Sequence, residues 1–199
     1  MERIAVAPIV EGHGETEAVP ILVRRVYSEL FRHPAVDVLR PIRIPRSKLV
    51  KSQELIRAVS LAALKLSNVV ALHKLVLVVF DSDHDRACEL APVINAEIQK
   101  QRSDVDVALV LAVHEFETWF VAAADSLSRY VDISAGDVPA DPEASGAKKH
   151  WIEERFRGKY AETISQPALS AEMDLSLCRS RSRSFDKFCR ELEKRLPPT

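Results

Sequence analysis

The chain has 199 residues, of which 47% are hydrophobic and 29% charged, and its formal net charge is −1. These are ordinary values for a folded domain with a real core, and no apolar run approaches the roughly 20 residues of a membrane-spanning helix. Cys88, Cys178 and Cys189 are widely spaced and form no CxxC pair, which excludes a disulfide framework or zinc knuckle and points to a reduced, cytoplasmic setting.

Ile4 to Val10 is a short apolar run ending at Glu11-Gly12, and it predicts a buried strand. Met1-Glu2-Arg3 before it lacks the layout of a signal peptide. Thr16 to Arg32 carries Val19, Leu22, Val23, Val26 and Leu30 at helical spacing, with Pro20 placed in the tolerant first turn. Val36 to Ile44 predicts a second strand, which Pro41 assigns to an edge. Residues 45–52 form a basic loop, and Arg43, Arg46, Lys48 and Lys51 make a basic rim around it. A helix from Gln53 to about Leu72 presents Leu55, Ile56, Val59 and Leu66 on one stripe. Lys74 to Phe80 is apolar on both faces, as at the centre of a parallel sheet. Helix Ala87 to Arg102, strand Val105 to Val113 and a helix from Phe116 to Ala124 follow.

The βαβαβαβα order predicts an α/β fold: a mainly parallel four-stranded sheet with helices on both faces. After Tyr130 the pattern changes. Residues 132–147 are turn-rich, and Lys148 to Phe156 and Ser184 to Leu196 read as helices, the second with Ser184 as N-cap. The expected division is an α/β domain over residues 1–130 and a helical C-terminal extension over 131–199 packed on it. Residues 148–199 hold 12 Lys/Arg against 8 Asp/Glu, so a basic tail follows an acidic front.

Three predicted strands end in acids: Glu11; Asp81, Asp83 and Asp85; Glu115 and Glu117. Parallel strands deliver their C-terminal ends to one edge of the sheet, the usual place for a ligand. Gathered carboxylates repel, so they require protons, bases or a cation. One or two Mg²⁺ or Mn²⁺ ions answer that requirement, because hard cations prefer oxygen ligands. Glu11, Asp81 and Asp83 are the strongest candidates. Glu15 and Glu17 fall in a helical first turn, where the dipole accounts for acids. Asp85 also reads as a cap of the third helix, and Glu117 as a cap of the helix containing Trp119, which leaves Glu115 as the ligand. Trp119 and Phe120 read as core rather than as a base-stacking platform.

His13, His84 and His114 stand beside the three clusters, either as hydrogen-bonding neighbours or as groups that ligate metal, orient water or contact a phosphate. Arg179, Arg181 and Arg183 form the densest basic stretch, either a nucleic-acid contact or a flexible, solvated lead-in to the last helix. Three other motifs fail. An EF-hand loop starting at Asp81 would need glycine where Arg86 stands, the Gly12-His13-Gly14 run lacks the third glycine of a dinucleotide fingerprint, and no Walker lysine motif occurs. Asp81-x-Asp83 after a strand also resembles the nucleophile motif of haloacid-dehalogenase-type phosphatases, with Asp85 as a departure.

The combination of Glu11 after the first strand and Asp81-x-Asp83 after the third resembles the Toprim domain of topoisomerases, primases and OLD-type nucleases. Val10-Glu11-Gly12-His13-Gly14-Glu15-Thr16-Glu17, Phe80-Asp81-Ser82-Asp83-His84-Asp85 and Glu115-Phe116-Glu117-Thr118-Trp119-Phe120 resemble a small stand-alone Toprim-like bacterial family, domain of unknown function 4276. Lys148-Lys149, Tyr160, Gln166 and Ser184-Phe185-x-Lys-Phe188 extend the likeness over nearly the whole chain.

The resemblance implies a Toprim/Rossmann-like sheet and a Mg²⁺- or Mn²⁺-dependent phosphodiesterase, a nuclease on DNA or RNA. Asp81 and Asp83 would hold the metal, Glu11 would act as ligand or general acid or base, and Glu115 or Glu117 would serve a second metal. Lys148 falls among the substrate-binding candidates. A P-loop ATPase partner in phage defence, a nucleic-acid substrate and a homodimer are the implied associations. Two alternatives stay open: an aspartyl-phosphate phosphatase or phosphotransferase with Asp81 as nucleophile, and a non-catalytic Toprim-like subunit of an ATPase complex.

Overall fold

Strand β1 (Ile4–Val10) is the hub of the sheet, with all seven residues buried. Alternate side chains point to opposite faces: Ile4, Val6 and Val10 enter one half of the core, and Ala5, Ala7 and Ile9 enter the other. A strand apolar at every position is what two covered faces require. The computed structural model describes residues 2–49, 52–134, 136–144 and 146–198, and Lys51 of the expected basic rim lies outside the described residues. In it, β1 pairs in parallel with β2 (Val36–Val38) and β3 (Ile42–Arg43) on one side and with β4 (His73–Asp81) on the other. β4 pairs in parallel with β5 (Val107–Ala112), giving five strands in the order β2-β1-β4-β5, with β3 beside β1.

The four strands of the sequence reading become five because the second, expected over Val36 to Ile44, is two short pieces. Pro41 breaks it, since proline has no N–H for the ladder. Pro8 in β1 faces the same break. The Leu39 N–H donates to the Val6 carbonyl and the Ile44 N–H to the Val10 carbonyl, so even-numbered residues of β1 point at β2 and β3. The missing N–H of Pro8 therefore falls where the partner strand is interrupted, which is how a central strand tolerates proline.

Helices α3 (Ser52–Ser67) and α4 (Ala87–Arg102) cover one face, packing on Val76, Val78, Phe80, Leu109 and Leu111. The other face is covered by α1 (Glu15–Arg25), α5 (Glu117–Ala122), α6 (Lys148–Arg155), α7 (Glu162–Glu172), α8 (Leu175–Arg181) and α9 (Arg183–Glu193). A short α2 (Arg46–Leu49) follows β3. Ile152, Leu169, Cys178, Phe185, Phe188 and Leu192 join the same buried cluster as Ile4 and Val6, so residues 131–199 share a core with the front of the chain.

Several boundaries differ from the sequence reading. Pro20 lies inside α1, which continues as a π-helical turn over Val26–Leu30, and the Gln53 helix stops at Ser67 rather than Leu72. α7 and α8 were not expected. Pro167 sits inside α7, and Ser176 and Ser180 interrupt the apolar pattern of α8. Ser182 rather than Ser184 caps α9, its Oγ accepting from the Phe185 N–H at 3.1 Å. Ser184 instead accepts the Trp119 indole N–H at 3.0 Å inside the core. Among the described residues no helix is long and apolar enough to cross a membrane.

Candidate functional site

β1 leads out to β2 on one side of the sheet, while β4 leads to β5 on the other. The C-terminal ends of β1 and β4 thus bound the crevice of a topological switch point. Val10 is paired with Val79, so Glu11, just past β1, lies beside Asp81, the last residue of β4. Burial and the Asp83 charge raise the Glu11 carboxyl above its ordinary range, while the Asp81 N–H and Arg46 oppose the shift. Asp81 is raised well above the carboxylate range, first by burial and then by Glu15, Glu117, Glu11 and Asp83. One oxygen of each, Glu11 Oε2 and Asp81 Oδ1, is buried without a hydrogen-bond partner among the described residues.

Glu15 belongs to this cluster, and the first-turn dipole reading missed it. It is buried at 3% exposure, and its Oε2 accepts the Glu11 N–H at 3.1 Å. Burial pushes its carboxyl up to about 7, with Glu11 and Glu117 adding to the shift. Glu117 is equally buried and raised by burial, while its Oε1 accepts from the Tyr160 hydroxyl at 2.7 Å and the Gln166 side-chain N–H at 3.0 Å. Those hydrogen bonds, not the capping role considered for it, orient Glu117.

The loop between β1 and α1 fits only because of its glycines. A Cβ on Gly12 would lie 2.8 Å from Glu15 Oε1, and one on Gly14 would lie 2.2 Å from Gln166 Oε1 and 2.5 Å from the Glu162 carbonyl. The second clash involves backbone, so it cannot be relieved by a rotamer change. Gly14→Ala is expected to destabilise the fold by about 1–3 kcal/mol, read as a lower urea midpoint with an unchanged m-value.

Asp83 and His114 both hold left-handed backbones, with φ of 48° and 63°. They clasp each other: the Asp83 N–H donates to the His114 carbonyl at 2.9 Å, and His114 Nδ1 lies 3.1 Å from the Asp83 carbonyl. The Ser82 hydroxyl accepts the His114 N–H at 2.9 Å. Such backbone outliers cluster at functional sites. The left-handed turn ends the extended segment between Asp81 and Asp83. Asp83 turns outward instead, its carboxylate 2.9 Å from Arg46 Nε.

Arg46 is the second residue the sequence reading undervalued. Its guanidinium also binds Asp85 at 2.5 Å and donates to the carbonyls of Asp81 and Ser82. Asp85 therefore pairs with Arg46 and does not cap α4, whose N-cap is Arg86. Among the described residues no three His, Cys, Asp or Glu side chains already stand around one metal position. The donors are nonetheless hard oxygens, and two of them are orphaned. A divalent cation here would take Glu11 and Asp81 directly, and Asp83 by displacing Arg46.

The remaining candidates scatter. Glu115 accepts the Lys149 N–H at 2.7 Å and so serves the start of α6. Lys148 is buried near Asp141 and Glu115, and burial lowers its ammonium pKa. His13 lines a cavity of about 410 Å³ with Lys149, Tyr160 and Thr163, and His84 is exposed. Arg179, Arg181 and Arg183 are not brought to the acids. Arg179 and Arg181 lie in α8, not in a flexible lead-in, and pair with Asp186, Glu193 and Asp125, while Arg183 pairs with the buried Glu143. Each guanidinium is satisfied by a nearby carboxylate of the C-terminal layer or of the loops against it.

Two sequence signals pointed to the missed groups: the Gly12-x-Gly14-Glu15 run and the pair Tyr160 and Gln166. Arg46 carried no such signal, because its partners lie far along the chain. A family model described as "Domain of unknown function (DUF4276)" matches residues 10–193. No curated protein and no solved structure matches the chain.

Proposed function

The chain belongs to the DUF4276 family, and on that premise we propose that it is a Mg²⁺- or Mn²⁺-dependent phosphodiesterase, a Toprim-like nuclease related to the OLD type. One observation carries this reading: two buried carboxylate oxygens without partners, Glu11 Oε2 and Asp81 Oδ1, at the switch point of a parallel sheet. The metal supplies charge neutralisation and Lewis acidity at a phosphodiester. Glu11, Asp81 and Asp83 hold it. Glu15, protonated up to near-neutral pH, stores a proton beside Glu11. Arg46, once released by Asp83 and Asp85, offers its guanidinium to the substrate phosphate.

The aspartyl-phosphate alternative is weaker. A cation that releases the Asp81 proton serves both readings, but Asp85, the departure from the phosphatase motif, is held by Arg46. A cytoplasmic location, nucleic acid as substrate and a P-loop ATPase partner in phage defence complete the proposed setting.

Calorimetric titration with Mn²⁺, run beside cleavage of plasmid, single-stranded DNA and RNA, tests the reading. Wild type is expected to bind Mn²⁺ and to cut at least one substrate, EDTA to stop cleavage, and Glu11→Gln to lose most binding. No heat at millimolar Mn²⁺, or cleavage that survives in both Asp81→Asn and Asp83→Asn, would sink it.

A further inference from the structure

β5 is the last strand of the sheet, and among the described residues no strand pairs with its outer edge. The direction of its backbone groups follows from the ladder. The Val76 N–H donates to the Asp106 carbonyl and the Ser82 N–H to the Ala112 carbonyl, so even-numbered residues face β4. In a parallel strand the odd-numbered residues then aim both N–H and C=O away from the sheet. At the end of the strand these outward groups are occupied: the Val113 N–H donates to Ser184 Oγ at 3.5 Å, and its carbonyl accepts from Thr118 Oγ1 at 2.7 Å. No hydrogen bond from the rest of the described residues reaches the outward groups of Val107, Leu109 and Leu111.

An open row of this kind is a template for another strand, and proteins usually blunt it with charges, proline or a bulge. The edge sequence Val107-Ala108-Leu109-Val110-Leu111-Ala112 has no charge and no proline. Its protection is recess. The edge lies at the bottom of a slot between α4 and α9, where two adjoining cavities of about 400 and 440 Å³ share Ala91, Pro92 and Lys187 as lining.

We propose that this slot is a docking site for an extended segment of a partner protein, added to β5 as an extra strand and alternating apolar with acidic residues. The alternation follows from the walls. Successive side chains of an added strand point to opposite faces. On the α4 side they meet a mostly apolar surface, Ala87, Ala91 and Pro92 beside Cys88 and Asn95. On the α9 side they meet Lys187, which is half-buried and makes no ion pair among the described residues. Its neighbours are already matched, Arg183 with Glu143 and Lys194 with Glu191. Lys187 is thus the one position in the slot where an incoming carboxylate gains an uncompensated partner.

A second copy of the chain does not fit the slot. Val107, Leu109 and Leu111 are only 8%, 5% and 3% exposed. Two edges that are both sunk below their flanking helices cannot reach hydrogen-bonding distance. A single extended segment has the two cavities beside Val107, Leu109 and Leu111 to enter.

The test uses the full chain and a short, end-blocked, fluorescent peptide alternating valine and glutamate, followed by anisotropy and by amide exchange. Saturable binding is expected, with slowed exchange at the Val107, Leu109 and Leu111 N–H groups. N-methylation of alternate peptide amides removes the backbone donors and is expected to weaken binding about tenfold or more. Lys187→Glu, an exposed-face change that leaves the core intact, is expected to weaken this peptide and to favour its valine–lysine counterpart. Equal binding of the N-methylated peptide would overturn strand addition, and binding indifferent to Lys187→Glu would overturn the charge match. A concentration-dependent dimer that the peptide dissolves would assign the edge to a second copy instead. No binding by either peptide would overturn the proposal outright.

Discussion

Asp81→Asn is expected to abolish Mn²⁺-dependent cleavage while raising the melting temperature of the metal-free protein at pH 8. The two effects share a cause. Asp81 is buried at the meeting point of Glu11, Glu15, Asp83 and Glu117, each of which opposes its charge. An amide of the same shape removes that repulsion and keeps one oxygen in place, so the fold gains. The same change removes a negative ligand from any cation, and the Lewis acidity that the cation would supply is lost with it. Differential scanning fluorimetry and a cleavage assay on one preparation decide the matter. A variant that is less stable at pH 8, or that still cuts, contradicts the account of the cluster.

Glu15→Gln isolates the proton. Its carboxyl titrates near 4.5 when unfolded and is pushed up to about 7 in the fold. Between those values the folded state binds more protons, so stability falls as pH rises from about 4.5 to about 7 and stays lower above it. Below about 4.5 both states are protonated and the cost vanishes. The shift corresponds to about 3 kcal/mol, or roughly 6–12 °C in melting temperature for a chain of this size. Glu15→Gln is expected to remove that share of the slope, leaving the shares of Asp81, Glu11 and Glu117, and to match wild type at pH 4. Saturating Mn²⁺ is expected to narrow the gap at pH 8, because a cation offsets the same repulsion. A wild type equally stable at pH 5 and pH 8 without metal would refute the shift.

Some of this arrangement is legible in the sequence, and some is not, for physical reasons. β1, β4 and β5 could be read because a strand covered on both faces is apolar at every position, as Leu75 to Phe80 is. The gathering of Glu11 and Asp81 followed from parallel strands ending at one edge, whereas Glu117, read as a cap with Glu115 as the ligand, is the acid that lies beside Asp81. Glu15 was ambiguous: an acid in a helical first turn satisfies the dipole whether it faces solvent or a site, and only packing separates the two. Arg46 was seen as part of a basic rim, but its partners Asp83 and Asp85 lie a crossover helix and a strand away. The left-handed backbone of Asp83 left no trace either, since aspartate tolerates both conformations. α7 was hidden by Pro167, a residue that usually ends helices.

Gln166 and Tyr160 reach back from the last third of the chain to hold Glu117, and α7 lies against the loop at Gly14. Synthesis runs the other way, N-terminus first. A growing chain therefore makes Glu11, Glu15, Asp81 and Glu117 before Tyr160 and Gln166, the groups that orient Glu117, exist. The crevice cannot close before the chain has reached α7. Until α7 docks, water can reach the acids and screen them, so the repulsive pocket closes only once Gln166 is present to close it.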